Sequence, residues 1–173
     1  MKSMLIFLLM TVSAAAWVKD NRLVVADDKS DFSSFRTFVV REGDPPPRQP
    51  GSRGPVRTRT LDVDPKLGEA IKDAIRSVLS AKGMKETLES ADLIVYFRIE
   101  VEMKGKEYPG DFGLGHPEFT MRMVVIDLTL PTTNNTIWHG AYVENEESPS
   151  KIEKKLPDDA RKLLSEYPPK KKR

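Results

Sequence analysis

Two histidines are the only imidazoles in this 173-residue chain, so any acid–base or metal-centred chemistry must use them or do without. His116 lies in a glycine-bearing segment, KGKEYPGDFGLGHP (104–117), and His139 lies in TIWHGAYVE (136–144). A metal site needs several His, Cys or carboxylate ligands brought together. Asp111, His116 and Glu118 are close enough in sequence to converge on one loop, and such a set would suit metal-assisted hydrolysis. A solvated polar loop has the same composition and is the commoner use of it. The spacing of Gly110, Gly113 and Gly115 resembles a phosphate loop. The Lys-Ser or Lys-Thr that such a loop requires is missing, and a strand pattern follows where a helix should supply its amides. No serine sits in a nucleophile elbow, and no carboxylate–histidine relay can be assembled from spacing alone. Cysteine is absent, which excludes a thiolate nucleophile, disulfides and a lipid-modified N-terminal cysteine. Glu100 and Glu102 fall on one face of a strand and read as solvent carboxylates, not as an acid and a base. The expectation is a protein without catalytic residues, cofactor or metal.

The elements that must position any site follow from periodicity. Phe35 to Arg41 is β-prone and follows a turn at Asp31-Phe32-Ser33-Ser34. Asp64 to Lys82 carries the best helical stripe: Leu67, Ile71, Ala74, Val78 and Leu79. Asp64 can cap its free N–H groups, and Pro65 suits the first helical position. Gly83 stops the helix in the left-handed conformation, and Met84 then folds back toward Leu79. Leu93 to Met103 alternates strictly. Val95, Phe97, Ile99, Val101 and Met103 face a core, and Tyr96, Arg98, Glu100 and Glu102 face water. Phe119 to Leu130 is apolar on both faces near Val124, Val125 and Ile126, so it should be central in the sheet. Asn134-Asn135 can turn the chain, and Thr136 to Glu144 returns antiparallel. The segment 150–167 repeats apolar residues at Ile152, Leu156, Ala160, Leu163, Leu164 and Tyr167. Pro157 should kink or split this helix, and Pro168-Pro169 end it. His139 would share a face with Ile137 and make a hydrogen-bonded core or edge histidine.

This order, β-α-β-β-β-α, implies an α+β two-layer sandwich: a four-stranded, mostly antiparallel sheet with two helices on one face. The expected division is a leader at 1–16, an extended segment at 17–30, one α+β domain at 31–169 and a basic tail at 170–173. The Pro/Arg-rich segment 43–57 lies inside the domain. Its composition cannot bury a face, and it reads as a loop. Arg48, Arg53, Arg57 and Arg59 cluster there.

The leader reads from its own residues. Lys2 gives a positive start, Met4 to Val12 is an uncharged apolar run, and Ser13-Ala14-Ala15-Ala16 ends it in small residues. This is the layout of a secretory signal cleaved after Ala16. The run is short of the roughly 20 apolar residues that span a bilayer, although an uncleaved anchor or a buried first helix would use the same residues. The expected location is therefore periplasmic or envelope-associated, soluble after cleavage. Charges nearly balance at 28 basic against 26 acidic, so no global field calls for nucleic acid.

Four segments, taken in order, resemble a known family. They are Asp31 to Phe38 (DFSSFRTF), the helix ending in Lys82-Gly83-Met84, Ala91 to Phe97 (ADLIVYF), and Val125-Ile126-Asp127-Leu128 with Ile137-Trp138-His139-Gly140. A last helix then ends in Tyr167-Pro168-Pro169. Together they are similar to the bacterial family catalogued as domain of unknown function 4136. That resemblance implies an exported or lipoprotein-like envelope protein with one small α+β domain and no assigned reaction. The chain departs from the pattern in lacking a lipidated cysteine, and in carrying Asn134 near the place where a glycine is usual.

The reading that results is a non-catalytic envelope protein, a small binding or scaffold module. Its candidate partner surface is Tyr96, Arg98, Tyr108, Phe112 and His116, and its expected partner is an envelope protein or a glycan, not nucleic acid. Two alternatives use other residues. A peripheral membrane binder would use Lys170 to Arg173 and the arginine loop to touch anionic lipid, at about 1 kcal/mol per basic residue. A metal-dependent hydrolase would use the 108–118 loop.

Overall fold

Strict alternation in Leu93–Gly105 builds the longest strands of the molecule and sets its two layers. The computed structural model describes residues 15–19, 22–46, 59–60, 64–105, 117–144 and 149–169, with side chains for 22–46, 64–100, 123–143, 151 and 153–169. In chain order the elements are β1 (Ala15–Lys19), β2 (Arg22–Ala26), β3 (Thr37–Glu42), β4 (Arg59–Thr60), α1 (Pro65–Ala81), β5 (Lys85–Glu86), β6 (Leu93–Gly105), β7 (Pro117–Thr129), β8 (Thr136–Glu144) and α2 (Pro149–Ser165).

The strands form one mixed sheet in the order β1-β2-β8-β7-β6-β3-β5, and β4 also pairs with β6. Six strands have five or more residues, while β4 and β5 have two each. The α+β class with two helices holds, but the sheet is larger than four strands, and it is mixed. β3 runs parallel to both β6 and β5, whereas the remaining pairings are antiparallel. The added strands have a local cause. Arg22–Ala26 is a short apolar run whose Val24 and Ala26 are buried, so it joins the edge of β8 instead of trailing as an extended segment.

Asp92 sets the parallel register of β3 on β6. Its carboxylate accepts the N–H groups of Arg36 and Thr37, both at 2.8 Å, and its own N–H donates to Thr37 Oγ1 at 2.9 Å. Those bonds hold the carboxyl of Asp92 below its usual range. α1 begins and ends as its sequence dictates. Asp64 caps it by accepting from Lys66 N at 2.8 Å. At the other end Gly83 takes φ +84°, while Gly83 N donates to Ser80 O and Met84 N to Leu79 O. That pair of bonds is a Schellman stop, and it brings Met84 into the cluster that contains Leu79. α2 continues through Pro157 as one helix, with Leu156, Ala160, Leu163 and Leu164 buried on both sides of the proline. Burial on that stripe offsets the missing hydrogen bond.

One face of the sheet supplies Phe38, Leu93, Val95, Phe97, Ile99, Val124, Ile126, Leu128 and Trp138. Both helices bury their apolar stripes in this same cluster. β7 is central, as expected, with Val124, Val125 and Ile126 all sealed. The tightest point lies at Gly140. A Cβ there would stand 2.5 Å from Trp138 Cη2 and 2.9 Å from Leu163 Cγ, inside any real carbon contact. We therefore expect Gly140→Ala to cost about 1–3 kcal/mol, because the ring and Leu163 are both fully buried and must shift to admit the Cβ. A urea midpoint equal to that of the parent would show that the ring shifts freely and would remove this account.

Candidate functional site

An acid in the middle of an apolar strand must find partners or stay neutral. Asp127 interrupts MVVIDLT in β7 and is 4% exposed. Its two neighbours in register are Tyr96 on β6 and His139 on β8. All three lie on the sheet face opposite the helices. A β-bulge between Leu128 and Thr129 shifts the β7–β8 register just beyond this row. That irregularity lets Ile137 and Trp138 both stay buried while His139 turns to the other face. Bulges of this kind re-aim side chains.

The groups on this outer face bind one another. Asp127 Oδ1 lies 2.7 Å from His139 Nδ1, and Asp127 Oδ2 accepts from Arg98 Nη1 at 2.6 Å. Arg98 Nε is 2.6 Å from Glu100 Oε1 and 3.0 Å from Asp44 Oδ1. Burial alone would push the Asp127 carboxyl up, but His139 and Arg98 together outweigh it and hold the group below its usual range. Burial likewise works against the Arg98 charge, and Asp127 and Glu100 reverse the effect, so its guanidinium is held more firmly protonated than usual. Asp127 is therefore an anion at neutral pH. An ionised carboxylate can only accept, so His139 Nδ1 carries the proton of their bond.

This corrects the expectation of a wet face. Tyr96 and Glu100 are buried, and the Arg98 side chain is 11% exposed. Alternation was right about which residues share a face and wrong about what meets that face, because the charges satisfy one another instead of water. Of the expected partner surface, Tyr96 and Arg98 are placed here. Tyr108, Phe112 and His116 lie outside the described residues, as do Asp111, the Arg48, Arg53 and Arg57 cluster, and the Lys170 to Arg173 tail. Glu118 is described only as backbone in β7. Among the described residues, no group of three or more His, Cys, Asp or Glu is arranged to hold a metal ion. The residues that spacing missed are Asp127 and Asp44; His139 is the hydrogen-bonded histidine expected, with Asp127 as its partner. A signal was present: a lone acid inside an apolar strand is rarely idle.

Comparison with known proteins extends the picture. A PDZ domain protein from Parabacteroides distasonis shares the fold at TM-score 0.55 and 15% identity, over 88% of this chain and 37% of that one. The chain thus spans little more than a third of that protein's length. A PelC dodecamer from Paraburkholderia phytofirmans aligns at TM-score 0.43 and 15% identity, over 75% of this chain and 84% of that one. A minor lipoprotein from Acinetobacter baumannii aligns at TM-score 0.35 and 8% identity, over 76% and 88%. Only the first of these is similar enough to support an argument, and that argument concerns fold alone. No curated protein matches the chain. The profile of a family described as "Domain of unknown function (DUF4136)" matches residues 24–169.

Proposed function

Because the chain belongs to the DUF4136 family, which carries no reaction with it, we propose from its own residues that it is a non-catalytic bacterial cell-envelope protein, a small binding or scaffold module. The observation that carries this reading is the mutual saturation of the outer-face charges. Asp127 spends both oxygens, on His139 and on Arg98, and Arg98 meets three carboxylates. Groups held this way are poor proton shuttles and good scaffolding, because each would leave a buried charge behind if it moved. The compartment rests on the Lys2, Met4 to Val12 and Ala14 to Ala16 layout of the leader. Among the described residues no helix is long and apolar enough to cross a membrane.

The leader and the sheet meet in β1. Cleavage after Ala16 would remove the two residues that pair with Ala26 and Val25, and leave Trp17, Val18 and Lys19 on β2. Cell fractionation combined with intact mass tests the reading. The expected result is a soluble envelope fraction with the mass of residues 17–173. A full-length mass in the cytoplasm would overturn the export reading, and with it the envelope role.

A further inference from the structure

The junction predicted at the end of the leader lies inside a strand. β1 spans Ala15–Lys19 and pairs antiparallel with β2, so the Ala16–Trp17 peptide sits in a ladder and not on a loop. One bond fixes the side to which each peptide group turns. Asp27 N donates to Ile137 O at 2.8 Å, in the same register that joins β2 to β8. Peptide groups alternate between the two edges of a strand. Leu23 and Val25 therefore also turn toward β8, while Arg22, Val24 and Ala26 turn toward β1. The residues opposite these three are Lys19, Trp17 and Ala15. The Trp17 N–H, which belongs to the Ala16–Trp17 peptide, thus points into β2 opposite Val24. A two-stranded hairpin alone is marginal in water, so β8, on the other side of β2, is what makes this pairing hold.

We propose that folding closes the leader junction to processing: the Ala16–Trp17 bond is a substrate for signal peptidase only while β1 is unpaired, and a chain that folds first keeps its leader. This rests on the export reading above and adds an order of events to it. The reaction is ordinary hydrolysis. Water adds across the bond, leaving a carboxylate on Ala16 and an amine on Trp17 that takes up the proton. A peptidase must surround an extended backbone and protonate the departing nitrogen. In the folded chain β2 occupies one side of that backbone and engages that same N–H. Cleavage then requires local opening of β1, and its rate is scaled by the open fraction. The opposite order leaves a sound product. Trp17 and Lys19 keep their places opposite Val24 and Arg22, and Ala26 alone loses its hydrogen-bonding partner on this edge.

Two measurements on the full-length chain in mild detergent test this. Amide hydrogen exchange of the folded precursor should be slower at Trp17 and Lys19 than at Ala16 and Val18, and rapid exchange at Trp17 would overturn the inference. Purified signal peptidase is then added either to the folded precursor or to the same chain at the moment of dilution from urea. We expect the folded form to be cut at least about tenfold more slowly. Lys19→Pro removes an N–H that points into β2 and leaves Ala14 to Trp17 intact, so it should restore rapid cleavage while circular dichroism stays that of the parent. A folded Lys19→Pro chain cut as slowly as the parent would count against the ladder as the cause. Equal cleavage of the folded and open parent would overturn the inference and leave the export reading standing. Cleavage of neither form would overturn the leader reading and this inference with it.

Discussion

Asp127→Ala is expected to lower folding stability by about 3–5 kcal/mol, the cost of removing one partner from a buried pair. The loss is larger than that of the bond itself. Arg98 stays behind with a buried guanidinium, and Glu100 and Asp44 cannot restore the position that Oδ2 held at 2.6 Å. His139 also loses its anchor. Urea unfolding followed by tryptophan emission at pH 7 measures the effect, and a change under about 1 kcal/mol would show that the network contributes nothing to the fold. The acid limb adds an independent check. Because the Asp127 carboxyl is depressed in the folded state, its contribution is present above the unfolded value of about 3.9 and is lost as pH falls through the lower folded value. The parent protein should therefore lose stability on acidification below about pH 4. Asp127→Ala should lack that portion of the loss.

Trp138→Ala should cost a similar amount, about 3–5 kcal/mol, for a different reason. The ring is fully buried and lies over Gly140, where no Cβ exists to fill the space it would vacate. It also meets Tyr167 edge to face at 6.2 Å, and Tyr167 in turn meets Phe32 at 5.8 Å. Removing the indole would leave a cavity bounded by a glycine on one side and by α2 on the other. The Tyr167 hydroxyl is already buried with no hydrogen-bond partner among the described residues, and burial pushes it up to about 12. Thermal unfolding followed by far-ultraviolet circular dichroism, a probe that does not need the tryptophan, would show the loss as a lower Tm. A Tm within error of the parent would mean that α2 collapses onto Gly140 at no cost.

Local chemistry was legible where a single residue decides the outcome. Asp64, Gly83 and Met84 specify the ends of α1 by capping and positive φ, and all three act as their types predict. Alternation in β6 gave the correct division of side chains between two faces. Tertiary choices were not legible. Nothing in Arg22–Ala26 states that this strand pairs with β8, because five short residues carry too little pattern to choose a partner. Pro157 predicted a kink or two short helices, and α2 is one helix, with Leu156 and Ala160 buried on either side of the proline. The site failed for a related reason. Arg98 and Glu100 looked like solvent residues because their strand alternates, whereas two of the carboxylates that Arg98 meets, Asp127 and Asp44, lie on other elements. Spacing along one strand cannot reveal a bond across three.

The register of β2 on β8 has a consequence for the order of events in synthesis. Val24 pairs with Gly140, and Val39 pairs with Ile94. The earliest strands therefore wait for the latest ones, and the closing contacts span most of the chain. Contact order this high makes folding slow, because the entropy of closing a long loop is lost before the pairing returns any stability. A nascent fragment that ends before residue 136 holds β2 without the strand beside it. Such a chain leaves β2 without β8 until nearly all of it has emerged.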